Sequence, residues 1–150
     1  MSSQEYSEKS SVPHERIYLD TSAYLCVLLA EKGALAIVKN VRSKIICSSV
    51  LLVAETERNI VRMARAKIIS QKTYEKVQRK LARDIDQFIT RDLTSDICLS
   101  GQFPAIKTPK TADLLHIRTA LWFKANGGLS KFISLDINQK IAALELGLEC

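Results

Sequence analysis

No apolar stretch of the chain approaches the ~20 residues that a membrane-spanning helix needs; runs such as Val50-Leu51-Leu52-Val53-Ala54 stop far short of it. Met1 to Arg16 is polar and lacks the apolar run of a secretory leader, so the cytoplasm is the expected location and no membrane partner is expected. The four cysteines, Cys26, Cys47, Cys98 and Cys150, are scattered without a C-x-x-C pair. That spacing excludes a zinc ribbon or a thioredoxin-like motif. Cys26, Cys47 and Cys98 lie in apolar contexts and are expected to be small core residues. His14-Glu15 opens an H-E-x-x-H pattern, but Tyr18 stands where the second histidine would fall, which removes the zinc-protease reading. Internal repeats and low-complexity tracts are missing as well.

What remains is a domain of ordinary size and composition. The 150 residues, 47% hydrophobic and 25% charged, suffice for one soluble core. The net charge of +6 fits an anionic partner. Arg58, Arg62, Arg65 and Lys67 follow Glu55 in one segment, and Lys72, Lys76, Arg79, Lys80 and Arg83 populate the next. Acidic residues gathered at one site would leave the rest of the surface more basic than the net figure. An acidic hole in a basic field suits a metal-dependent enzyme acting on nucleic acid.

Residues 1–15 are rich in Ser, Glu and Lys and carry Pro13, and are expected to form a flexible tail ahead of a domain at 16–150. Ile17-Tyr18-Leu19 reads as a short strand, after which Thr21 or Ser22 is expected to cap an apolar helix to about Ala30. Ala34 to Val41 reads as a second helix and Lys44 to Cys47 as a buried strand. Ser48-Ser49 then leads into the long helix of Glu55. From Gln71 to about Phe88, Tyr74, Val77, Leu81, Ile85 and Phe88 recur at helical spacing on one face. That face exceeds the core expected for a small sheet, so part of it is expected to serve a homodimer interface. Asp96 to Leu99 is expected to be a strand, Gly101 to Pro109 a loop, and Thr111 the cap of a helix to about Lys124. Lys131 to Leu135 reads as the last strand, and Gln139 to Leu146 as a terminal helix closed by Gly147. Strands alternating with helices predict an α/β fold, a three-layer α/β/α domain with a mostly parallel sheet.

Chemistry concentrates in the acidic residues at the junctions. Asp20 ends the first strand, and Glu55, Asp113 and Asp136 occupy comparable places. A carboxylate at the C-terminal end of a strand is delivered to the sheet edge where open α/β folds bind ligands. Each residue has an ordinary alternative: Asp20, Asp113 and Asp136 could serve helix N-termini, and Glu55 could pair with Arg58 or Asn59. Several carboxylates converging on one place repel each other unless a cation holds them, which points to Mg or Mn. His116, three residues after Asp113, is expected to pack or hydrogen-bond beneath the site, and Trp122 and Phe123 to be core or subunit contact. Arg79 and Lys80 are candidate RNA contacts, with a solvated helix face as the alternative.

In order, Ile17-Tyr18-Leu19-Asp20-Thr21-Ser22, Leu52-Val53-Ala54-Glu55, Ala112-Asp113-Leu114-Leu115-His116-Ile117-Arg118-Thr119-Ala120 and Phe132-Ile133-Ser134-Leu135-Asp136 resemble the PIN-domain nucleases, especially their VapC-type toxin branch. The resemblance spans about Arg16 to Leu148 and includes the ending Ala142-Ala143-Leu144-Glu145-Leu146-Gly147-Leu148. It implies a Mg- or Mn-dependent endoribonuclease paired with an antitoxin and forming a homodimer. It implies Asp20, Glu55, Asp113 and Asp136 as catalytic carboxylates, with Asp20, Asp113 and Asp136 as metal ligands and Ser22 and Ser134 in support. Relatives often carry a further acidic residue near the fourth carboxylate; Ile137-Asn138 stand here, which bears on a second metal ion and not on the first.

Competing classes fit less well. A haloacid-dehalogenase-like phosphotransferase needs a second aspartate where Ser22 stands, and a response-regulator receiver needs paired acids after its first strand and a lysine after its last. A housekeeping PIN-domain RNA-processing nuclease and a non-cutting PIN-like scaffold remain as alternatives; the intact quartet disfavours the scaffold.

Overall fold

The computed structural model describes residues 14–105 and 109–150. The tail expected at 1–15 therefore lies almost wholly outside the described residues, and so does part of the proline-containing loop. Glu15 is already engaged: its carbonyl accepts from Ile45 N at 2.8 Å and its carboxylate pairs with Lys44 at 3.1 Å.

Four strands form one parallel sheet: β1 (Arg16–Leu19), β2 (Ile45–Ser49), β3 (Ile89–Arg91) and β4 (Lys131–Ile133), in the order β3-β2-β1-β4. Among the described residues seven helices connect and cover them: α1 (Thr21–Leu28), α2 (Ala34–Val41), α3 (Leu51–Arg65), α4 (Gln71–Gln87), α5 (Ser95–Cys98), α6 (Thr111–Ala125) and α7 (Ile137–Glu145). The α/β expectation holds, with every described strand pair parallel.

The pleat sorts side chains between two layers. Tyr18, Cys47 and Phe132 face α6 and α7, where they meet Ile117, Ala120, Phe123, Ala142 and Ala143. Leu19, Ile46 and Ile133 face the other way, toward α1 and α2. A third cluster joins Tyr24 and Leu28 of α1 to Leu52 and Ile60 of α3 and Val77 and Leu81 of α4. Burial of each large aliphatic side chain contributes roughly 1.5–3 kcal/mol.

Four local expectations are corrected. Asp96 to Leu99 is not a strand: Ser95–Cys98 forms the single turn α5, and the third strand is Ile89–Arg91 instead. Cys98 consequently lies exposed, whereas Cys26 and Cys47 are buried. Leu81 is only 4% exposed, because α4 lies against α1 and α3, and Tyr74 and Phe88 pack on the same cluster. The apolar face of α4 thus serves the monomer's own core. Helix α6 starts at Thr111 after Lys110, without the expected hydroxyl cap.

Candidate active site

The strand order sets the location. From β1 the chain proceeds outward to β2 and β3, then returns to place β4 on the other side of β1. The chain leaves β1 into α1 on one face of the sheet and β4 into α7 on the other, so a crevice opens at their C-terminal ends, the usual ligand position in open parallel sheets. Asp20 follows β1 and Asp136 follows β4. The two strand ends are tied together by Asp20 N donating to Ile133 O at 3.1 Å.

Asp20 itself is the N-cap of α1. Its Oδ1 accepts from Ala23 N at 2.9 Å and from Ser22 Oγ at 2.8 Å. The cap expected at Thr21 or Ser22 is displaced because a carboxylate is favoured at the positive helix end, while Ser22 turns back to support it. Asp136 caps α7 in the same manner, Oδ1 accepting from Asn138 N at 2.9 Å and Gln139 N at 3.2 Å. Ser134 is buried between the two: its hydroxyl accepts from Asp136 N at 3.0 Å and lies 3.4 Å from Ser22 Oγ.

Asp113 stands in the first turn of α6 and Glu55 in the second turn of α3. Together with Asp20 and Asp136 they line one cavity of about 190 Å³, which Thr21, Ser22, Asn59, His116 and Gln139 also border. All four predicted carboxylates are thus brought together, with Ser22 at the wall and Ser134 beneath. Arg79 and Lys80 are not among the residues lining the cavity. Lys80 is committed to Asp84 at 2.5 Å, and Asp84 also accepts from Tyr24 OH at 2.9 Å. Arg79 stays exposed on α4.

Electrostatics separate the carboxylates. Burial raises Asp20 above the usual carboxylate range, against hydrogen bonds from Ser134, Ala23 and Ser22 that act the other way. Asp113 is raised too, first by burial and then by the charges of Asp136, Glu55 and Asp20. Burial would also raise Glu55, but hydrogen bonds from His116 and Thr21, with the charge of Arg58, outweigh it and hold Glu55 below its ordinary value.

The donor set fits a divalent cation by type and by charge. Hard carboxylate oxygens are the ligands that Mg and Mn take, and the charges of Asp136, Glu55 and Asp20 add to burial in raising Asp113. Among the described residues no three acidic, histidine or cysteine side chains are drawn into a ready-made metal centre. The four carboxylates border one common space.

His116 meets its expectation: it is 1% exposed and hydrogen-bonded under the cavity. Thr21, Asn59 and Gln139 were not anticipated. Asn59 is one turn after Glu55, and Gln139 is three after Asp136, where a capping-box partner falls; its amide reaches Asp113 O at 3.3 Å. Trp122 and Phe123 are structural: Phe123 is buried, and Trp122 takes the Arg91 guanidinium over its ring at 4.0 Å. No helix among the described residues is long and apolar enough to cross a membrane. Comparison with protein-family models and with curated proteins returns no match to this chain.

Proposed function

We propose that this protein is a cytoplasmic, divalent-metal-dependent endoribonuclease of the VapC-like toxin kind, hydrolysing RNA phosphodiester bonds in the acidic cavity. One observation carries the reading. Four carboxylates, spread from Asp20 to Asp136 along the chain, border a single small cavity at the crevice between β1 and β4. A fold with only structural needs would not gather unbalanced charge there.

Asp20, Asp113 and Asp136 would hold Mg or Mn. When bound, such an ion activates water, polarises the phosphoryl group and stabilises the leaving oxygen. The chain's own contribution is orientation. Ser22 and Ala23 N fix one oxygen of Asp20, and the α7 amides fix one of Asp136. Glu55, kept ionised, would orient the attacking water. Arg58 and Arg62, exposed one turn and two turns along α3, offer positive charge to flanking phosphates.

A cognate antitoxin would be the natural inhibitor. The protein would act as a homodimer, for which α7 offers exposed apolar side chains, Ile137 at 71% and Leu144 at 56%. Incubating the purified protein with labelled RNA and Mg tests the reading. Cleavage is expected, abolished by chelator and by Asp113→Asn. Intact RNA under all conditions, or undiminished cleavage in excess EDTA, would refute it.

A further inference from the structure

β1 runs through the middle of the sheet, and its pleat turns Tyr18 toward α6 while Asp20 emerges at the strand's end. The Tyr18 hydroxyl lies 2.7 Å from His116 Nδ1, with the phenol fully buried and the imidazole 1% exposed. Across the ring, Nε2 lies 2.7 Å from Glu55 Oε1 and 3.0 Å from Thr21 Oγ1. Thr21 Oγ1 donates to the same Glu55 oxygen at 2.7 Å. Three elements thus meet at one imidazole, which spans the space between a buried phenol and a carboxylate of the cavity wall.

The two ends of this chain decide where its protons sit. Glu55 is held below its ordinary value and is ionised at neutral pH, so its oxygens only accept. Nε2 must therefore carry a hydrogen. The Tyr18 phenol is fully buried, and its oxygen stands 2.7 Å from Nδ1. In a neutral ring protonated at Nε2, Nδ1 has a lone pair, and the Tyr18 hydroxyl is placed to donate to it. This arrangement of hydrogens satisfies each of these contacts.

We propose that Tyr18 and His116 are a buried positioning pair that fixes Glu55, tying Oε1 down together with Thr21 and leaving Oε2 to face a ligand in the acidic cavity. Neither residue touches the reacting atoms; both act through Glu55. A carboxylate on a flexible two-methylene stem has several rotamers, and a water oriented by it attacks in line only from one. The pair removes that freedom from beneath the site, where solvent cannot compete. In this role the inference rests on the hydrolytic reading of the cavity, whereas the pairing itself does not.

The test has two arms. In ¹⁵N-labelled protein, two-bond ¹⁵N–¹H spectra report the imidazole tautomer, and His14 is the one other histidine in the sequence. His116 is expected in the Nε2–H form, with its Nδ1 resonance displaced in Tyr18→Phe, which removes the hydroxyl facing Nδ1 and keeps the buried ring. An Nδ1–H ring, or a spectrum unchanged by Tyr18→Phe, would overturn the proposal. The second arm compares His116→Gln, whose amide nitrogen can stand where Nε2 stood, with His116→Asn, whose shorter amide falls near Nδ1. Cleavage kcat is expected to stay within about tenfold in the Gln variant and to fall about a hundredfold in the Asn variant, with KM little changed, the scale of a misplaced reacting group. Equal losses in both, tracking their melting temperatures, would make His116 merely structural and overturn the positioning role. A wild-type chain inactive on RNA but giving the expected spectra would remove the hydrolytic reading and leave the pairing standing.

Discussion

Asp113→Asn isolates the electrostatics of the cavity from any question of substrate. Burial, then the charges of Asp136, Glu55 and Asp20, hold the Asp113 carboxyl above its ordinary range. A raised carboxyl pKa means that the folded state prefers the neutral form. Its contribution to stability is therefore lost as pH rises from the ordinary aspartate value through the raised one. Asparagine keeps the shape and removes the charge. Asp113 is half-exposed, so each like-charge contact is worth only a few tenths of a kcal/mol, and relief from the neighbours sums to about 1 kcal/mol. For a chain of this size that corresponds to about 2–4 °C in melting temperature. Without metal, the variant should melt higher than wild type at pH 7, and the difference should disappear near pH 3. Mg should reverse the order. A ligand at one hundred times its Kd stabilises by about 2.7 kcal/mol, so wild type should gain roughly 5–10 °C and the variant little. Circular dichroism melts with Mg, with Mn and with chelator measure all of this. Equal Mg-induced shifts in both proteins would refute the assignment of Asp113 to a cation site, whatever the activity.

Asp20→Asn should nearly abolish Mg-dependent RNA cleavage with the fold retained, since asparagine still caps α1; Asp20→Ala should lose about 1 kcal/mol of stability in addition, and normal cleavage by the Asn variant would remove Asp20 from the metal ligands. Calcium should support RNA binding better than turnover, because its larger, looser coordination holds in-line geometry poorly; equal rates in Ca and Mg would argue against this. In fluorescence-anisotropy titrations, Arg79→Ala should lower the salt slope of RNA binding by about one if Arg79 meets phosphate. Lys80→Ala, already paired to Asp84, should change the slope little, and the opposite ranking would contradict the ion pair. Expression in bacteria without a partner should arrest growth, and the Asp20→Asn form should not; unimpeded growth with the unaltered chain would favour a housekeeping nuclease.

The sequence by itself determined the parts whose signals are local. Apolar triplets alternating with helix-period segments specified a parallel α/β domain, because short strands buried on both faces and one-sided helices have few other ways to cover each other. Acidic residues at strand ends were legible for the same reason: topology aside, a strand end in a parallel sheet is a place where ligands bind. β3 escaped because Ile89-Thr90-Arg91 is three residues at a sheet edge, held by backbone bonds to β2 and lacking any apolar alternation. Asp96 to Leu99 misled because a buried Ile97 beside Cys98 and Leu99 reads as a strand, yet only Ile97 enters the core. The surplus apolar face of α4 could not be assigned to core or partner until α1 and α3 were seen against it. What only the tertiary structure decided was pairing over distance. The order β3-β2-β1-β4 put Asp20 beside Asp136, and the pleat of β1 met the face of α6 to set Tyr18 against His116, residues 98 apart in sequence. No local propensity encodes such a contact, since it depends on which layer each element packs against and in what register.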